Sequence, residues 1–153
     1  MTGIAFIIFM VDQASKLYVV KFLNLKEKIS IDVIDPFLNF RMAWNTGINF
    51  GLLSSGSEVS RLILVVVSLA ISIALFWWVR NSRNSRRQIL VAMVIGGALG
   101  NVADRIIFGA VADFLNMSCC GIRNPFSFNL ADVAIFAGAI GLILWDRNEN
   151  ETA

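Results

Sequence analysis

Histidine is absent from the chain, and its absence removes Ser-His and Cys-His nucleophilic catalysis together with most zinc chemistry. Charge is also scarce. Lys, Arg, Asp and Glu make up 16% of the 153 residues, against about 25% in an ordinary soluble domain. There are only two cysteines, Cys119 and Cys120, and they are adjacent. Neighbouring residues give a strained disulfide geometry, so the pair reads as ordinary loop residues rather than a staple. The net charge of +2 leaves no basic footprint for a nucleic-acid partner. What is abundant is apolar surface, at 57% of residues. That exceeds what one small core could hide from water, so the excess must face lipid. The expectation is a membrane protein built as a single domain over residues 1–153.

Four segments read as membrane spans: Gly3 to Leu23, Leu62 to Val79, Ile89 to Gly109 and Asn129 to Trp145. The second is the clearest, with nothing more polar than Ser68 and Ser72, and its length suits a hydrocarbon core of roughly 30 Å. The first begins too close to Met1 for the basic region of a cleaved signal peptide, and no small-residue cleavage site follows it. Trp77, Trp78 and Trp145 stand at segment ends, where amphipathic rings favour the headgroup layer. The loop between the second and third spans holds Arg80, Arg83, Arg86 and Arg87 with no acid among them. By the positive-inside rule that loop is cytoplasmic. Both termini then lie in the cytoplasm, and the loops 24–61 and 110–128 face outward. In the first outer loop, 29–34 and 37–44 read as an extended, apolar-rich strand pair on the membrane surface. Residues 45–56 read as a turn and a short helix. The predicted fold class is thus an all-α membrane protein of four transmembrane helices, with a small β cradle and a short helix in the first outer loop.

Polar groups in hydrocarbon are costly, so each needs a partner or a function. Asp12, Gln13 and Lys16 fall in the first span, and Asp12 and Lys16 are spaced i, i+4. Asn101, Asp104 and Arg105 share one face of the third span, and Asn129 and Asp132 share one face at the start of the fourth. With Asp113 in the loop between those spans, the acids gather toward the outer leaflet, Asp12 lying deeper. The small residues Gly96, Gly97, Ala98 and Gly100 let a neighbouring helix approach closely. Each feature has a plainer reading. Asp12 with Lys16 makes an intrahelical ion pair, Asp104 with Arg105 anchors a helix end, and the asparagines bridge helices. Two carboxylates held together offer more. They cannot both ionise easily, so one keeps a proton while the other draws a proton from water. That pairing hydrolyses a peptide bond with neither histidine nor metal.

In this order and spacing, five blocks resemble the lipoprotein signal peptidase family, also called signal peptidase II. They are Asp12-Gln-Ala-Ser-Lys16, Asn45-Thr-Gly-Ile-Asn-Phe50, Gly96-Gly-Ala-Leu-Gly-Asn-Val-Ala-Asp-Arg105, Val111-Ala-Asp-Phe114 and Phe128-Asn-Leu-Ala-Asp132. The resemblance implies an aspartyl endopeptidase with Asp113 and Asp132 as the catalytic dyad and with no cofactor or metal. It implies Asn45, Gly47, Asn101, Arg105 and Asn129 on the substrate side of the site, and Asp12, Gln13, Lys16, Asp104 and Trp44 in support. The implied substrate is a prolipoprotein whose lipobox cysteine already carries diacylglycerol, cut just before that cysteine. The implied partners are that substrate and membrane lipid, with the enzyme acting as a monomer in a bacterial inner membrane. One departure is Asn49, polar where many relatives have a small apolar residue; it bears on the packing of its loop and not on the dyad. The rival reading is a small ion-coupled transporter or channel subunit that relays protons through Asp12, Asp104 and Asp132. Against it, the acids concentrate toward one face instead of spanning the membrane.

Overall fold

The computed structural model describes residues 1–35, 37–47, 58–118 and 124–151, with side chains through residue 145. Helix α1 (Thr2–Lys16) runs on into a π-helical turn, Leu17–Phe22, and is followed by the short α2 (Leu25–Lys28). Strands β1 (Ser30–Ile34) and β2 (Leu38–Asn45) come next, then α3 (Glu58–Val79), α4 (Ser85–Phe108), β3 (Val111–Met117) and α5 (Leu130–Glu151). Among the described residues, three stretches are long and apolar enough to cross a membrane: Thr2–Phe22, Glu58–Val79 and Ser85–Phe108. The apolar part of α5, Leu130–Trp145, is shorter than these.

Helix α4 is the centre of the molecule and packs against α1, α3 and α5. More than half of its apolar window is buried (56%), against 17% for each of the other two spans. Small residues are the cause. A Cβ on Gly96 would lie 2.6 Å from the Ala5 carbonyl oxygen of α1, and one on Gly97 would run into the Ala131 carbonyl of α5. Between hydrocarbon-soluble helices, association is driven by such close backbone packing rather than by exclusion of water. The opposite faces stay bare and apolar: Phe6 and Met10 on α1, Leu62 and Val66 on α3, Phe136 and Ile143 on α5.

The two ends of α4 differ in kind. At its start the Asn84 side chain accepts from the Arg86 and Arg87 amides at 3.1 and 3.2 Å, an N-cap of the usual sort. Around this end the Arg80, Arg86 and Arg87 guanidiniums lie over Trp77, Trp145 and Trp78, at 3.7, 4.6 and 5.6 Å from the ring centroids. At the other end Gly109 adopts φ +79°, and its amide returns to the Arg105 carbonyl at 3.1 Å, stopping the helix. The chain then turns directly into β3.

That strand corrects the predicted architecture. Residues 111–114 read as loop in the sequence. The structure makes them the third strand of an antiparallel sheet ordered β1-β2-β3, so the cradle is three-stranded and the fold mostly helical rather than all-α. The reason is burial: Val111, Ala112, Asp113, Phe114 and Asn116 are all covered, so the polar–apolar alternation that marks a half-exposed strand never appears. Strand β2 carries a bulge between Phe40 and Ala43, and the freed Met42 amide donates to the Ile29 carbonyl at 2.9 Å. Beneath the sheet, Val19, Leu25 and Phe114 form a buried cluster, with Phe40 edge-on to Phe114 at 5.8 Å. The π-helical turn thus supplies the floor of the cradle. The short helix expected within 45–56 lies, beyond residue 47, outside the described residues; α2 is a different helix, nearer the start of the loop.

Candidate active site

Asparagine and aspartate occupy the start of α5 because they can cap it. The Asn129 Oδ1 accepts from the Asp132 amide at 2.9 Å, while Asp132 Oδ2 accepts from the Asn129 amide at 3.2 Å. This reciprocal cap satisfies two orphan amides and fixes the Asp132 side chain against the first turn. The Asn129 Nδ2 is left to point away from the helix. It donates to Asp113 Oδ1 at 2.6 Å and to Asn101 Oδ1 at 3.2 Å. Asn101 Nδ2 in turn donates to Asp132 Oδ1 at 2.9 Å. Asp113 and Asp132 are therefore joined through two amides. Each side chain comes from a different element: Asn101 from α4, Asp132 from α5 and Asp113 from β3.

Strand β3 is held against α5 by Phe128. The amides of Phe114 and Leu115 donate to the Phe128 carbonyl at 3.0 and 2.8 Å, and the Phe128 amide returns to Leu115 at 2.9 Å. One residue later comes Asn129, which is why its amide reaches Asp113. Neither Phe128 nor Asn116, whose Nδ2 holds the Asn124 and Phe126 carbonyls at 2.9 and 2.8 Å, was singled out as an organiser from sequence. Phe128 acts through its backbone and Asn116 by gripping the backbone of a neighbouring loop, and side-chain type announces neither. From the other flank, β2 brings Asn45 opposite Val111 and on the face of Asp113, and Asn45 Nδ2 donates to Asp113 Oδ2 at 3.1 Å. The Asn45 Oδ1 accepts from the Gly47 amide at 3.1 Å, and Gly47 sits at φ +135°, a conformation that favours glycine. Trp44 leans on Phe108 at the end of α4, ring centroids 5.9 Å apart.

Asp113 is buried and Asp132 half-buried. Burial, and then the nearby charge of Asp132, push the Asp113 carboxyl up from 3.8 to about 6, against the pull of the Asn45 and Asn129 amides. Arg105 lies in the field of Asp113, Asp132 and Asp104. Its Nη1 donates to the Asn101 carbonyl at 3.3 Å, and its buried Nε has no hydrogen-bond partner among the described residues. A planar cation beside two acids is suited to hold a polar group of a bound chain.

The supporting cluster differs from the sequence reading in one respect. Asp104 was expected to anchor the helix end with Arg105. The structure instead buries it completely, with Lys16 Nζ 2.8 Å from its Oδ2 and Gln13 Nε2 3.0 Å from its Oδ1. A fully buried carboxylate needs a counter-charge more than a helix end does, and Lys16 on α1 is the cation within reach. Asp12 pairs with Lys16 at 2.7 Å, as its spacing predicts. Among the described residues, no three acid, histidine or cysteine side chains converge as a metal site requires.

Fold and site together define a helical membrane protein with a carboxylate pair where a small sheet meets the helix ends. Comparison with known proteins gives the family. The model described as signal peptidase (SPase) II matches residues 4–146. A lipoprotein signal peptidase from Methylobacterium radiotolerans is 42% identical over 109 residues, 71% of this chain and 63% of the relative's length. The match therefore spans less than two thirds of that relative. Another, from Polynucleobacter necessarius, is 38% identical over 144 residues, covering 94% of this chain and 85% of the relative. A third, from Pelagibacter ubique, is 37% identical over 142 residues, covering 92% and 83%. Among solved structures, two bacterial membrane enzymes are similar. One superposes with TM-score 0.81 at 29% identity, covering 97% of this chain and 88% of that one; the other gives 0.78 at 30%, covering 92% and 88%. The chain belongs to the signal peptidase II family.

Proposed function

We propose that the chain is an aspartic endopeptidase of the membrane that removes signal peptides from diacylglyceryl-modified prolipoproteins, cutting just before the lipidated cysteine. The observation that carries this reading is the pair Asp113 and Asp132, joined through Asn129 and Asn101 at one end of the helical bundle. Two acids so placed share one proton. Burial favours keeping it on Asp113, leaving Asp132 to draw a proton from water as the water attacks. Asp113 then donates to the scissile carbonyl oxygen. Asn45, Gly47, Asn101, Asn129 and Arg105 surround the place where the peptide would lie. All four long helices cross the membrane in this reading, α5 spanning with its less apolar end. The arginines of 80–87 lie in the cytoplasm with both termini. Asn101 stands roughly 24 Å up α4 from Ser85, and with the arginines inside this supports a dyad toward the outer face.

The acyl chains of the substrate would remain in the bilayer and position a bond that the dyad alone grips weakly. Cleavage of lipidated and unlipidated precursor by the purified protein tests the reading. The unlipidated form is expected to lose roughly 10²-fold or more in kcat/KM, because binding energy from the lipid is spent on placing the peptide bond. Equal cleavage of the two would make this a general membrane protease. Trp44→Ala is expected to weaken use of the lipidated substrate more than it lowers the melting temperature, since Trp44 is 40% exposed and lies on a surface ring, not in the core.

The titration of Asp113 gives a second expectation. Raised to about 6, the carboxyl keeps its proton below that pH and loses it above, so kcat/KM should fall on the alkaline side, about tenfold per pH unit. The apparent value belongs to the pair. Asn45 donates to the ionised form and so holds the pKa down. Asn45→Ala should move the alkaline limb to higher pH, and a downward or absent shift would mean that Asp113 does not govern it.

A further inference from the structure

Three buried charges lie behind the dyad and touch no open surface: Asp12 and Asp104, both fully buried, and Lys16, 5% exposed. Burying two carboxylates with one ammonium leaves an unbalanced negative charge, a costly arrangement to keep for packing alone. Their hydrogen bonds say what they hold. Asp12 Oδ1 accepts from the Ala131 amide at 3.0 Å, and Asp104 Oδ2 accepts from the Ala112 amide at 3.1 Å. Ala131 is the residue just before Asp132, and Ala112 the residue just before Asp113. The same relation occurs on both sides of the site, on a helix in one case and a strand in the other. Lys16 Nζ joins the two acids, 2.7 Å from Asp12 Oδ2 and 2.8 Å from Asp104 Oδ2. Gln13 Nε2 spans the same gap, donating to Asp12 Oδ2 at 3.1 Å and Asp104 Oδ1 at 3.0 Å.

We propose that Lys16 is a positioning residue that fixes the spacing of Asp113 and Asp132, by tying together the two carboxylates that hold the amides immediately before them. The inference rests on the aspartic reading above. The cation is an internal strut between α5 and β3, two elements that otherwise meet through Phe128 and the Asn129 amide. Charge-assisted hydrogen bonds are short and directional, so a strut of this kind transmits spacing to a fraction of an ångström. Proton transfer through a carboxylate pair is sensitive at that scale.

Lys16→Met alone strands two buried carboxylates and is expected to unfold the protein. The informative variant is Asp12→Asn with Lys16→Met. It keeps the net charge of the cluster and an oxygen to accept from Ala131, but severs the ionic link through Lys16 to Asp104, leaving only the neutral Gln13 amide across the gap. In detergent it should melt cooperatively, with kcat for diacylglyceryl-prolipoprotein lowered on the order of 10²-fold and KM little changed. The pH profile supplies a readout that packing alone would not move. Asp113 faces Asp132 from α5, Arg105 from α4, Asn45 from β2 and Lys16 from α1, and the Lys16 charge favours its ionised form. Removing Lys16 should therefore move the alkaline limb to higher pH. A folded double variant with parental kcat overturns the proposal. Should the double variant fail to fold, Lys16→Arg decides. It keeps both ion pairs but lengthens the strut, so kcat should fall at an unchanged melting temperature, and parental kcat overturns the proposal. Asp113→Asn is assayed alongside. Activity in that variant removes the aspartic reading itself, whereas its loss together with a fully active strut variant removes only the strut.

Discussion

Asp113→Asn and Asp132→Asn are each expected to lower cleavage on the order of 10³-fold while leaving a folded, membrane-inserted protein. The amide matches the carboxylate in size, so the packing of β3 and α5 is undisturbed. What changes is the proton inventory. Neither amide can accept a proton from water or deliver one to a carbonyl, and the partner left alone can do only half of the cycle. The hydrogen-bond pattern adds a local cost at Asp113. Both of its oxygens accept, one from Asn129 at 2.6 Å and one from Asn45 at 3.1 Å, so an asparagine there must turn its own NH₂ toward one of two donors. Because the two acids act as a unit, the double Asn variant should be little slower than either single one. Additive losses would mean that the acids work in separate steps.

Gly97→Val is expected to abolish folded protein or to cost ~3 kcal/mol or more, as severe overpacking does. A Cβ at Gly97 meets backbone, the Ala131 carbonyl of α5, and then Ile135 Cγ1 at 2.9 Å. A backbone carbonyl in a helix cannot swing aside, so the two helices would have to part. Parting them pulls Asp132 away from Asn101, whose Nδ2 donates to it at 2.9 Å, and so activity should fall even where some protein folds. Gly3→Ala is the control, because nothing lies within 4 Å of the added carbon. Thermal melting in detergent and the yield of inserted protein separate the two variants. A Gly97→Val protein as stable as the parent would show that α4 and α5 do not pack through this seam.

The helices were legible because lipid imposes a simple rule on them: a bundle that cannot rely on water must show long apolar runs, and 2–22, 58–79 and 85–108 do so plainly. The fourth was placed correctly as a helix from its Asn129 start, but its apolar part ends at Trp145, short of the other three. Helical spacing also grouped Asn101 with Asp104 and Asn129 with Asp132. It could not show that Asn129 faces both acids at once, because the position of Asp113 depends on β3, and β3 is buried on both faces and carries no alternating signature. The pairing of Lys16 with Asp104 was hidden for a similar reason. Within α1 the spacing to Asp12 explains Lys16 completely, so nothing prompts a search for a second partner 88 positions along the chain. Cap chemistry was the unread signal. An Asn followed three residues later by Asp is a helix start that consumes both side chains, and it explains why those two types stand at 129 and 132.

The most direct test of the central claim is the mass of the product released from a diacylglyceryl-modified prolipoprotein by the purified protein. The account predicts one mature product whose first residue is the lipidated cysteine, formed by the parent and by neither Asp113→Asn nor Asp132→Asn. A product cut at any other bond, or the same product from either Asn variant at the parent's rate, would contradict it.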